Sequence, residues 1–453
     1  MGENRNIHSW NSFRTKLLTT QRKMNTTMNL DNSKGLQLIF RALHHRNYRL
    51  FFGGQGISLI GTWMQQIAMS WLVYRMTQSA FLLGVVGFLG QIPAFLLSPF
   101  AGVLIDRWNR HRILVGTQSL AMIQAFILAL LTLTGTIAIW HIIILALFLG
   151  FVNAFDMPTR QAFVVDMVET GEDLGNAIAL NSFLFNGARL LGPSIGGILI
   201  SVLGEGMCFL LNGISFIAVI AALLAMKMTK REIRSKSSHV LQGVKEGFTY
   251  AFGFPPIRFL LLLLGLVSLT GMPYTVLMPV FAKNILRGGP HTLGFLLGAS
   301  GVGALVGAIY LASRKSVLGL GRLITIALNI FGIGLIAFSI SRTLSLSLLF
   351  LGFTGFGMMV QMASTNTVLQ TIVEEDKRGR VMSLYTMAFM GMVPFGSLLA
   401  GSLASKIGAP GTIMISGVAC ILGSILFARK LPLLRELVRP IYIEKEILSK
   451  ELK

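Results

Sequence analysis

Long apolar runs recur along this chain, with short charged stretches between them, and this pattern most constrains the fold. Residues 81–104 and residues 113–140 contain no charged side chain, whereas residues 105–112 between them hold one aspartate and three arginines. An apolar run longer than about 18 residues is typical of a helix that crosses a lipid bilayer. The sequence therefore predicts membrane-spanning helices joined by short loops that lie in water.

The composition supports a membrane protein built from helices. Of the 453 residues, 53% are hydrophobic and only 13% are charged, and the mean hydropathy is +0.70. A typical soluble domain carries about 25% charged residues. Helices are the expected spanning elements because lipid cannot satisfy open backbone groups, and the alternating pattern of a membrane β-barrel is absent. Cys208 and Cys420 lie in apolar runs and are expected to be small buried side chains.

We predict an all-α membrane protein with twelve transmembrane helices in two pseudo-symmetric six-helix bundles. Its five parts are a cytoplasmic basic N-terminal tail (1–49), the first bundle (50–228), a cytoplasmic connector (229–256), the second bundle (257–429) and a cytoplasmic C-terminal tail (430–453). The spans are expected near residues 51–74, 82–104, 113–134, 139–158, 176–203, 207–228, 257–282, 292–313, 322–341, 344–368, 380–404 and 411–429. Each fifth span of a bundle has a proline among small residues, a weak internal repeat that is typical of secondary transporters.

The distribution of Lys and Arg predicts which side of the membrane each loop faces. With the N-terminus inside, 33 of the 39 basic residues lie on the inner side, five lie outside and Arg189 lies within a span. Inner loops are enriched in Lys and Arg, so both termini are expected in the cytoplasm. This placement argues against nucleic-acid binding as the reason for the net charge of +21. Within the connector, residues 240–252 are amphipathic and are expected to lie along the membrane surface.

No sequence motif indicates catalysis. The chain lacks the ATP-binding pattern G-x-x-x-x-G-K-[ST] and the zinc pattern H-E-x-x-H, and its seven histidines have no ligand spacing. Residues 192–196 formally match the hydrolase pattern G-x-S-x-G, but that nucleophile needs a preceding strand and these residues lie in a predicted span. We therefore expect a transporter without a cofactor, and not an enzyme. A non-transporting membrane enzyme, scaffold or receptor is the alternative from another class.

Two motifs resemble those of the major facilitator superfamily. The loop after the second span reads Gly102-x-x-x-Asp106-Arg107-x-x-Arg110-x-Arg112, which is similar to the superfamily's signature loop. The fifth span contains Gly192-Pro193-x-x-Gly196-Gly197, which is similar to its antiporter motif. The runs at 45–52, 158–161 and 378–381 resemble the drug:proton antiporter branch that includes the enterobactin exporter and macrolide efflux proteins. The resemblance covers residues 41–429, and the departures from the usual motifs are Asn109, His111 and Ala188.

The resemblance implies a gate on the cytoplasmic side. In the family, the acid of the signature loop docks near the N-terminus of the eleventh span and near neighbouring arginines, so Asp106 would hold that side closed. The helix N-terminus carries a positive partial charge that favours such an anion. The expected gate residues are Gly102, Asp106, Arg107, Arg110, Arg112, Arg378 and Arg380. The alternative is a solvated loop that only obeys the positive-inside rule.

Arg189 is the most informative single residue because it lies about halfway along the fifth predicted span. A guanidinium at this depth costs several kcal/mol unless it is paired. Arg189 is therefore a candidate for binding an anionic substrate or for coupling, and the alternatives are pairing with an acid or with backbone carbonyls. Gly192, Pro193, Gly196 and Gly197, one turn further on, are expected to let a neighbouring helix approach closely and bend.

Other polar residues in the spans complete the predicted site. The expected substrate-binding residues are Gln55, Thr62, Gln66, Asn181, Arg189 and Gln361. Each of them alone could instead form an ordinary hydrogen bond between helices. Asp156, at the inner end of the fourth span, is the expected proton carrier together with Arg189, since no acidic residue lies deep in a span.

The sequence and the resemblance together predict a secondary transporter of the bacterial inner membrane. It is expected to export an amphipathic small molecule, a siderophore or a hydrophobic drug such as a macrolide, by alternating access and proton antiport. The export direction and the substrate class are implied by the resemblance alone. The expected partners are this substrate, protons and the lipid bilayer, and the chain is expected to be a monomer. The same fold could instead move a lipid-like substrate or import a solute.

Overall fold

The computed structural model describes residues 41–168, 171–227, 240–314, 316–445 and 447. Within these ranges it does not describe the side chains of residues 98–100, 102–104, 106, 107, 171, 172 and 240–245. The described chain is helical and contains no strand, which confirms the predicted fold class. Residues 1–40 of the predicted N-terminal tail lie outside the described ranges.

The first half consists of six long helices, which we name the first to sixth spans. Their bounds are Arg46–Thr77, Ala80–Arg107, Arg110–Leu133, Ile139–Met167, Gly171–Leu203 and Glu205–Leu224. Gln78 (φ 53°), Gly135 (φ 71°) and Gly204 (φ 80°) lie in the turns between these helices. A backbone with positive φ cannot continue a right-handed helix, so the chain reverses sharply at these residues. A short 3₁₀ turn, Arg41–His44, precedes the first span.

The second half begins after an amphipathic helix, Val240–Gly253, which we name the connector helix. The next three regular spans are the eighth (Pro290–Ala312), the ninth (Leu320–Ile340) and the tenth (Leu344–Ile372). The eleventh span consists of Arg378–Met390 and the first part of the helix Met392–Glu444, and the twelfth is the rest of that helix. Gly408 (φ 79°, ψ 160°) leaves the helical conformation and separates the two.

The seventh span, residues 255–285, is irregular. It starts as the α-helix Pro255–Leu266 and continues through a π turn, Val267–Gly271, and a 3₁₀ turn, Met272–Leu277. Pro273 and Pro279 lie in this stretch, and proline cannot donate the backbone hydrogen bond of an α-helix. The two prolines therefore explain why the helix changes its hydrogen-bonding pattern here.

Ten helical segments of the described chain are long and apolar enough to cross a membrane. One of these ten runs from Arg378 to Glu444 and includes the break at Gly408, so it contains two spans. The first span is not among the ten. It is long enough at 32 residues, but it carries three glutamines and charged ends that make it less apolar. The second span within Arg378–Glu444 and the first span bring the ten segments to the twelve helices expected from the sequence.

Several helix ends differ from the predicted boundaries. The fourth helix continues past Pro158 to Met167, whereas the span was expected to end near residue 158. Proline is tolerated inside membrane helices because neighbouring groups satisfy the backbone that it frees. The last helix continues beyond residue 429 to Glu444, because Leu434 and Val438 pack into the hydrophobic core of the second half.

The spans alternate between two faces of the molecule. We name the face that carries Arg41 and Glu444 the terminal face, because both described chain ends lie there. The opposite face carries the turns after residues 77, 133, 203, 285 and 340 and the turn at Gly408, and we name it the far face.

The two halves cross at two points near the far face, and these crossings have the same geometry. A Cβ atom on Gly84 would lie 2.6 Å from the Ser397 carbonyl oxygen, and one on Gly294 would lie 2.7 Å from the Pro193 carbonyl oxygen. The matched positions are Ala80 with Pro290, Gly84 with Gly294, Ser397 with Pro193, and Gly401 with Gly197. The halves are therefore structural repeats. Pro193 and Pro394, which suggested the repeat in the sequence, are not equivalent positions.

Candidate functional site

Arg189 lies between the two halves, among aromatic and hydroxyl groups. Its guanidinium carbon is 6.0 Å from the ring centroid of Trp63 on the first span. Trp63 in turn packs edge-on against Phe185, with ring centroids 5.9 Å apart. Tyr274 of the second half lies close to Arg189, and its hydroxyl oxygen is 2.6 Å from the Ser300 hydroxyl oxygen. This cation thus has a flat apolar surface on one side and the second half on the other.

Acidic groups of the first half already have basic partners. The pairs are Glu205 with Arg75, Asp166 with Arg110, and Asp156 with Arg160, with N···O distances of 2.7, 3.2 and 3.3 Å. In the described part of the chain, none of these carboxylates pairs with Arg189, and the neutral Tyr274 lies nearby. Within that part, Arg189 therefore does not form the ion pair with an acidic side chain that was the alternative to substrate binding.

The glycines of the fifth span pack against two different helices. A Cβ atom on Gly192 would lie 2.4 Å from Trp63 Cβ, and one on Gly196 would lie 2.7 Å from Ile67 Cγ2, both on the first span. A Cβ atom on Gly197 would lie 2.6 Å from the Pro290 carbonyl oxygen on the eighth span. The close helix approach expected of this motif is therefore present. Pro193 lies at the crossing with the eighth span, and the role of the motif as a seal stays a prediction.

The other predicted substrate-binding residues fall into two groups. Thr62 and Gln66 are exposed, one helical turn apart on the first span, and Asn181 is partly buried on the fifth. Gln55 (2% exposed) and Gln361 (0% exposed) lie in the protein interior. The structure therefore places Thr62 and Gln66 where a ligand can reach them. It places Gln55 and Gln361 inside the bundles, where Gln361 Nε2 donates to Thr365 Oγ1 of its own helix at 3.3 Å.

A buried amide network in the first half was not predicted. Gln65 Nε2 donates to Gln124 Oε1 at 2.9 Å, and Asn212 Nδ2 donates to Gln65 Oε1 at 2.8 Å. Gln124 also donates to the Leu145 carbonyl oxygen at 3.3 Å, so the network joins four spans. Gln65 lies beside the predicted residue Gln66 on the first span, but its partners lie on distant helices and are not visible from spacing within one helix.

Asp156 is 4% exposed and held by three neighbours. Its Oδ1 accepts hydrogen bonds from Thr117 Oγ1 at 2.8 Å and from Gln118 Nε2 at 2.7 Å. Its Oδ2 lies 3.3 Å from Arg160 Nη2. These three contacts join the Asp156 carboxylate to the third span and to the next turn of its own helix. A role of Asp156 in proton coupling stays a prediction, and such a role requires these contacts to break on protonation.

The loop after the second span is described in part. Gly102 lies in the second helix, and the side chains of Asp106 and Arg107 lie outside the described set. Asn109, which departs from the usual motif, caps the third span, because its Oδ1 accepts from the Arg112 backbone N–H at 3.1 Å. The side chain of Arg112 is exposed.

Arg110 of the same loop connects the third and fourth spans. Its Nη1 lies 3.2 Å from Asp166 Oδ2 and donates to the Ala162 carbonyl oxygen at 3.2 Å. This predicted gate residue is thus engaged within the first half. The partner Asp166 lies in the extension of the fourth helix beyond its predicted end, which is why the sequence did not indicate it.

The two predicted gate arginines of the second half have partners on the terminal face. Arg380 Nη1 lies 3.0 Å from Glu246 Oε2 on the connector helix, and Arg378 Nη2 lies 3.7 Å from Glu375 Oε1. A Cβ atom on Gly247 would lie 2.9 Å from Arg380 Cβ, so the connector helix packs directly on the eleventh span. The sequence predicted the connector helix, but not Glu246 as a partner of Arg380.

Lys377 and Tyr250 form a second contact between this helix and the loop before the eleventh span. Lys377 Nζ lies 4.7 Å from the Tyr250 ring centroid and donates to Glu374 Oε2 at 2.8 Å. The hydrogen bond to Glu374 raises the pKa of Lys377, and burial raises the pKa of Tyr250. Lys377 is therefore a cation at neutral pH.

The segment before the first span docks on the start of the fifth span. Arg41 Nε and His45 Nε2 both contact the carboxylate of Asp173, the latter at 2.9 Å. The Ala42 backbone N–H donates to Asn176 Oδ1 at 3.0 Å. In the sequence, residues 45–52 contributed only to the family resemblance, and they did not indicate Asp173 as the partner of His45.

Close contacts between the halves also occur on the far face. Asn284 Nδ2 donates to the Tyr74 hydroxyl oxygen at 2.7 Å, and the His291 backbone N–H donates to Ser201 Oγ at 3.2 Å. Both contacts involve uncharged groups and accompany the two glycine crossings. Packing and neutral hydrogen bonds thus join the halves on the far face, together with Lys283 Nζ, 6.0 Å from the Tyr74 ring centroid.

Known proteins resemble this chain over most of its length. A family model described as transmembrane secretion effector matches residues 39–441. The staphyloferrin A transporter of Staphylococcus aureus is 30% identical over 84% of this chain and 95% of its own. The multidrug efflux pump Tap of Mycolicibacterium fortuitum is 26% identical, over 85% and 93% of the two chains. Macrolide efflux protein A of Streptococcus pyogenes is 24% identical, over 83% and 95%.

Solved structures with low sequence identity share the fold. A bacterial homologue of the iron transporter ferroportin matches with a TM-score of 0.65 and 18% identity, over 85% of this chain and 98% of that one. The peptide transporter POT matches with a TM-score of 0.68 and 11% identity, over 86% and 95%. Together with the family match over residues 39–441, the two repeated six-helix halves show that this chain belongs to the transmembrane secretion effector family of the major facilitator superfamily.

Proposed function

We propose that this protein exports an amphipathic small molecule bearing a carboxylate from the cytoplasm across the bacterial inner membrane. Transport would proceed by alternating access and be driven by proton antiport. The observation that carries this proposal is Arg189, a cation at mid-span whose described surroundings are aromatic rings and hydroxyls. A cargo carboxylate would supply the missing counter-charge.

The surroundings of Arg189 suit a cargo with two kinds of surface. A planar guanidinium binds a carboxylate through two parallel hydrogen bonds, each worth about 1.5–3 kcal/mol when charge-assisted. Trp63 and Phe185 offer apolar area beside the cation. Tyr274, buried and hydrogen-bonded to Ser300, brings the second half close to the cation. A molecule that touches both halves at once is one that can bias their relative positions.

The names of the relatives support export and suggest two classes of cargo. One relative is named for the siderophore staphyloferrin A and another for macrolides. Between these classes, Arg189 favours the one with an anionic group. A hydrophobic drug is the second candidate, and its support is the exposed thioethers of Met387 (39% exposed) and Met390 (47% exposed) on the eleventh span. A lipid-like substrate or an imported solute would fit the same fold.

The distribution of charge supports a cytoplasmic terminal face. The inner side would hold 33 of the 39 Lys and Arg residues, and both termini would lie in the cytoplasm. The halves are joined near the far face in the state described here, so cargo would enter from the terminal face. The proposed unit of transport is one chain, since both halves of the site belong to it.

Asp156 and Arg189 are the proposed coupling residues. The Asp156 carboxylate holds Thr117, Gln118 and Arg160 while it is charged. Protonation would remove the charge that binds Arg160 and would loosen the junction of the third and fourth spans. Binding and release of this proton in turn would couple the gradient to the movement of the first half.

The test measures export by purified protein in liposomes with an imposed proton gradient. Arg189→Ala is compared with Arg189→Lys and with Lys406→Ala, which removes one exposed charge on the far face. The cargoes are siderophores that carry carboxylates and, separately, macrolides. Loss of two charge-assisted bonds predicts at least about a tenfold drop in carboxylate export for Arg189→Ala. Arg189→Lys should retain part of it, and Lys406→Ala all of it.

The outcomes distinguish the parts of the proposal. Normal export of carboxylates by Arg189→Ala would show that Arg189 has a structural role and does not bind the cargo. Export of macrolides alone would favour the second candidate cargo. Export that persists after the proton gradient is collapsed would contradict antiport. Accumulation of all tested cargoes inside expressing cells would reverse the assigned direction.

A further inference from the structure

A cleft opens on the terminal face of the second half, away from Arg189. Its volume is about 280 Å³, and it lies between the starts of the seventh and ninth spans, the end of the tenth span and the last helix. The turn Val317–Gly321 closes one side of it, and residues 431–442 of the last helix close the other. Nothing in the proposed transport site uses these residues.

The floor of the cleft is apolar. Leu260, Ile324, Val368, Phe427 and Leu434 line it and are at most 8% exposed. The walls come from four different spans, so the cleft is a feature of the folded second half and not of one helix. An apolar floor of this kind suits an apolar occupant.

The rim of the cleft is basic. Arg435 and Arg439 lie one turn apart on the last helix, both exposed, and Tyr442 follows on the same face. The lining residues all belong to the described chain, and none of them is acidic. Two guanidinium groups above an apolar floor match a molecule with an anionic head and a hydrocarbon tail.

The last helix has the character of a segment at the membrane surface. It continues from the twelfth span, and its Leu433 (47% exposed) and Leu437 (36% exposed) face away from the core. Arg429 and Lys430 add exposed positive charge at its start. A basic helix with exposed apolar groups at the end of a span is placed where lipid headgroups lie.

We infer that this cleft binds an anionic phospholipid of the surrounding leaflet. One acyl chain lies along the floor formed by Leu260, Ile324 and Phe427, and the phosphate lies against Arg435 and Arg439. Arginine suits this role because its planar fork makes bidentate contacts with phosphate. The bound lipid fastens the last helix to the ninth and tenth spans and so stabilises the second half.

The test uses the full chain, purified in detergent and exchanged into defined lipid. Its thermal midpoint is measured with phosphatidylglycerol, with phosphatidylcholine of the same acyl chains, and with inorganic phosphate. The variant Arg435→Gln/Arg439→Gln is compared with Arg429→Gln/Lys430→Gln, which removes the same charge from the same helix outside the cleft. All four side chains are exposed.

Phosphatidylglycerol is expected to raise the midpoint of the wild-type chain and of the Arg429/Lys430 variant, and phosphatidylcholine is not. The Arg435/Arg439 variant should need at least about tenfold more phosphatidylglycerol for the same rise. Leu434→Trp, which fills the cleft and keeps both arginines, should also lose the effect. Equal response to both lipids, or equal response of the two charge variants, would overturn the inference. Protection by inorganic phosphate alone would do so too, since it would indicate a free anion site.

Discussion

The contacts that join the two halves on the far face differ in kind from the contacts made within each half on the terminal face. On the far face the halves meet at glycine crossings, where a Cβ atom on Gly197 would lie 2.6 Å from the Pro290 carbonyl oxygen. Uncharged hydrogen bonds such as Asn284 to Tyr74 accompany them. On the terminal face the contacts are ionic, and pairs such as Arg110 with Asp166 and Arg380 with Glu246 lie within one half or its connector helix.

Steric packing closes the far face, whereas the exposed ion pairs of the terminal face can exchange their partners. Backbone-to-backbone packing leaves no space for an added methyl group. The far face can therefore close only when these backbones are in direct contact. Exposed ion pairs are worth about 0–1 kcal/mol. Arg380 and Glu246 are nearly half exposed and can therefore change partners at little cost, whereas Arg110 and Asp166 are mostly buried. We therefore expect changes on the far face to have larger effects than changes on the terminal face.

The largest effect is expected from Gly197→Val, which adds three carbon atoms at a crossing. Overpacking of this kind costs roughly 1–3 kcal/mol and forces the backbones apart. Transport should fall by about 5- to 150-fold, because the far face can no longer close. The measurement is export in liposomes, with Gly116→Val as the control, since a Cβ atom on Gly116 meets nothing within 4 Å.

A cysteine at position 292 reports the closure of the far face directly. Thr292 is 3% exposed in this state, and the natural Cys208 and Cys420 are fully buried. In Thr292→Cys, a membrane-impermeant maleimide should react slowly. Adding Gly197→Val should accelerate the reaction, and adding Gly116→Val should not. Equal rates in the two double variants would show that the crossing does not seal this face.

The next effect is expected from Asp106→Asn in the signature loop. If Asp106 holds the terminal face closed through charge-assisted bonds of about 1.5–3 kcal/mol, its loss should shift the equilibrium at least about tenfold towards the open state. Export should fall while cargo binding, measured by titration calorimetry, stays largely intact. Normal export by Asp106→Asn would leave the loop with the alternative role of a solvated positive-inside segment.

Glu246→Gln should act in the opposite direction to Asp106→Asn. Glu246 holds Arg380 in the present state, so its removal frees Arg380 for partners used when the terminal face closes. Both side chains of this pair are nearly half exposed, which limits the expected shift to about two- to fivefold. Reactivity of the Thr292→Cys thiol measures it, since closing the terminal face opens the far face. A shift in the same direction as that of Asp106→Asn would contradict this exchange of partners.

The sequence predicted the fold well because long apolar runs leave few alternatives. It also identified the fifth-span glycines, whose contacts have the expected closeness. It did not predict the partner of Arg380, because Glu246 lies far away in the chain and meets it only through the packing of the connector helix. The burial of Gln361 was missed for a similar reason, since the face that a polar residue presents to its neighbours depends on the whole bundle.

The smallest effect is expected from Lys377→Gln, which removes the cation above the Tyr250 ring. The hydrogen bond to Glu374 raises the pKa of Lys377. The contact of the Lys377 cation with the Tyr250 ring is therefore fully present below the ordinary lysine pKa of about 10.4, and it is lost only as pH rises through the raised pKa. A spin label at Phe248→Cys on the connector helix should thus show constant mobility from pH 6 to 9.

Lys377→Gln should raise the mobility of this label slightly, because the pair of Arg380 with Glu246 still holds the connector helix on the eleventh span. Adding Glu246→Gln should raise it further, since both contacts are then lost. A wild-type transition near neutral pH would mean that a group other than Lys377 controls the docking. The terminal face would then respond to protons at the connector helix itself, and the exchange of ionic partners there would no longer be independent of the coupling proton.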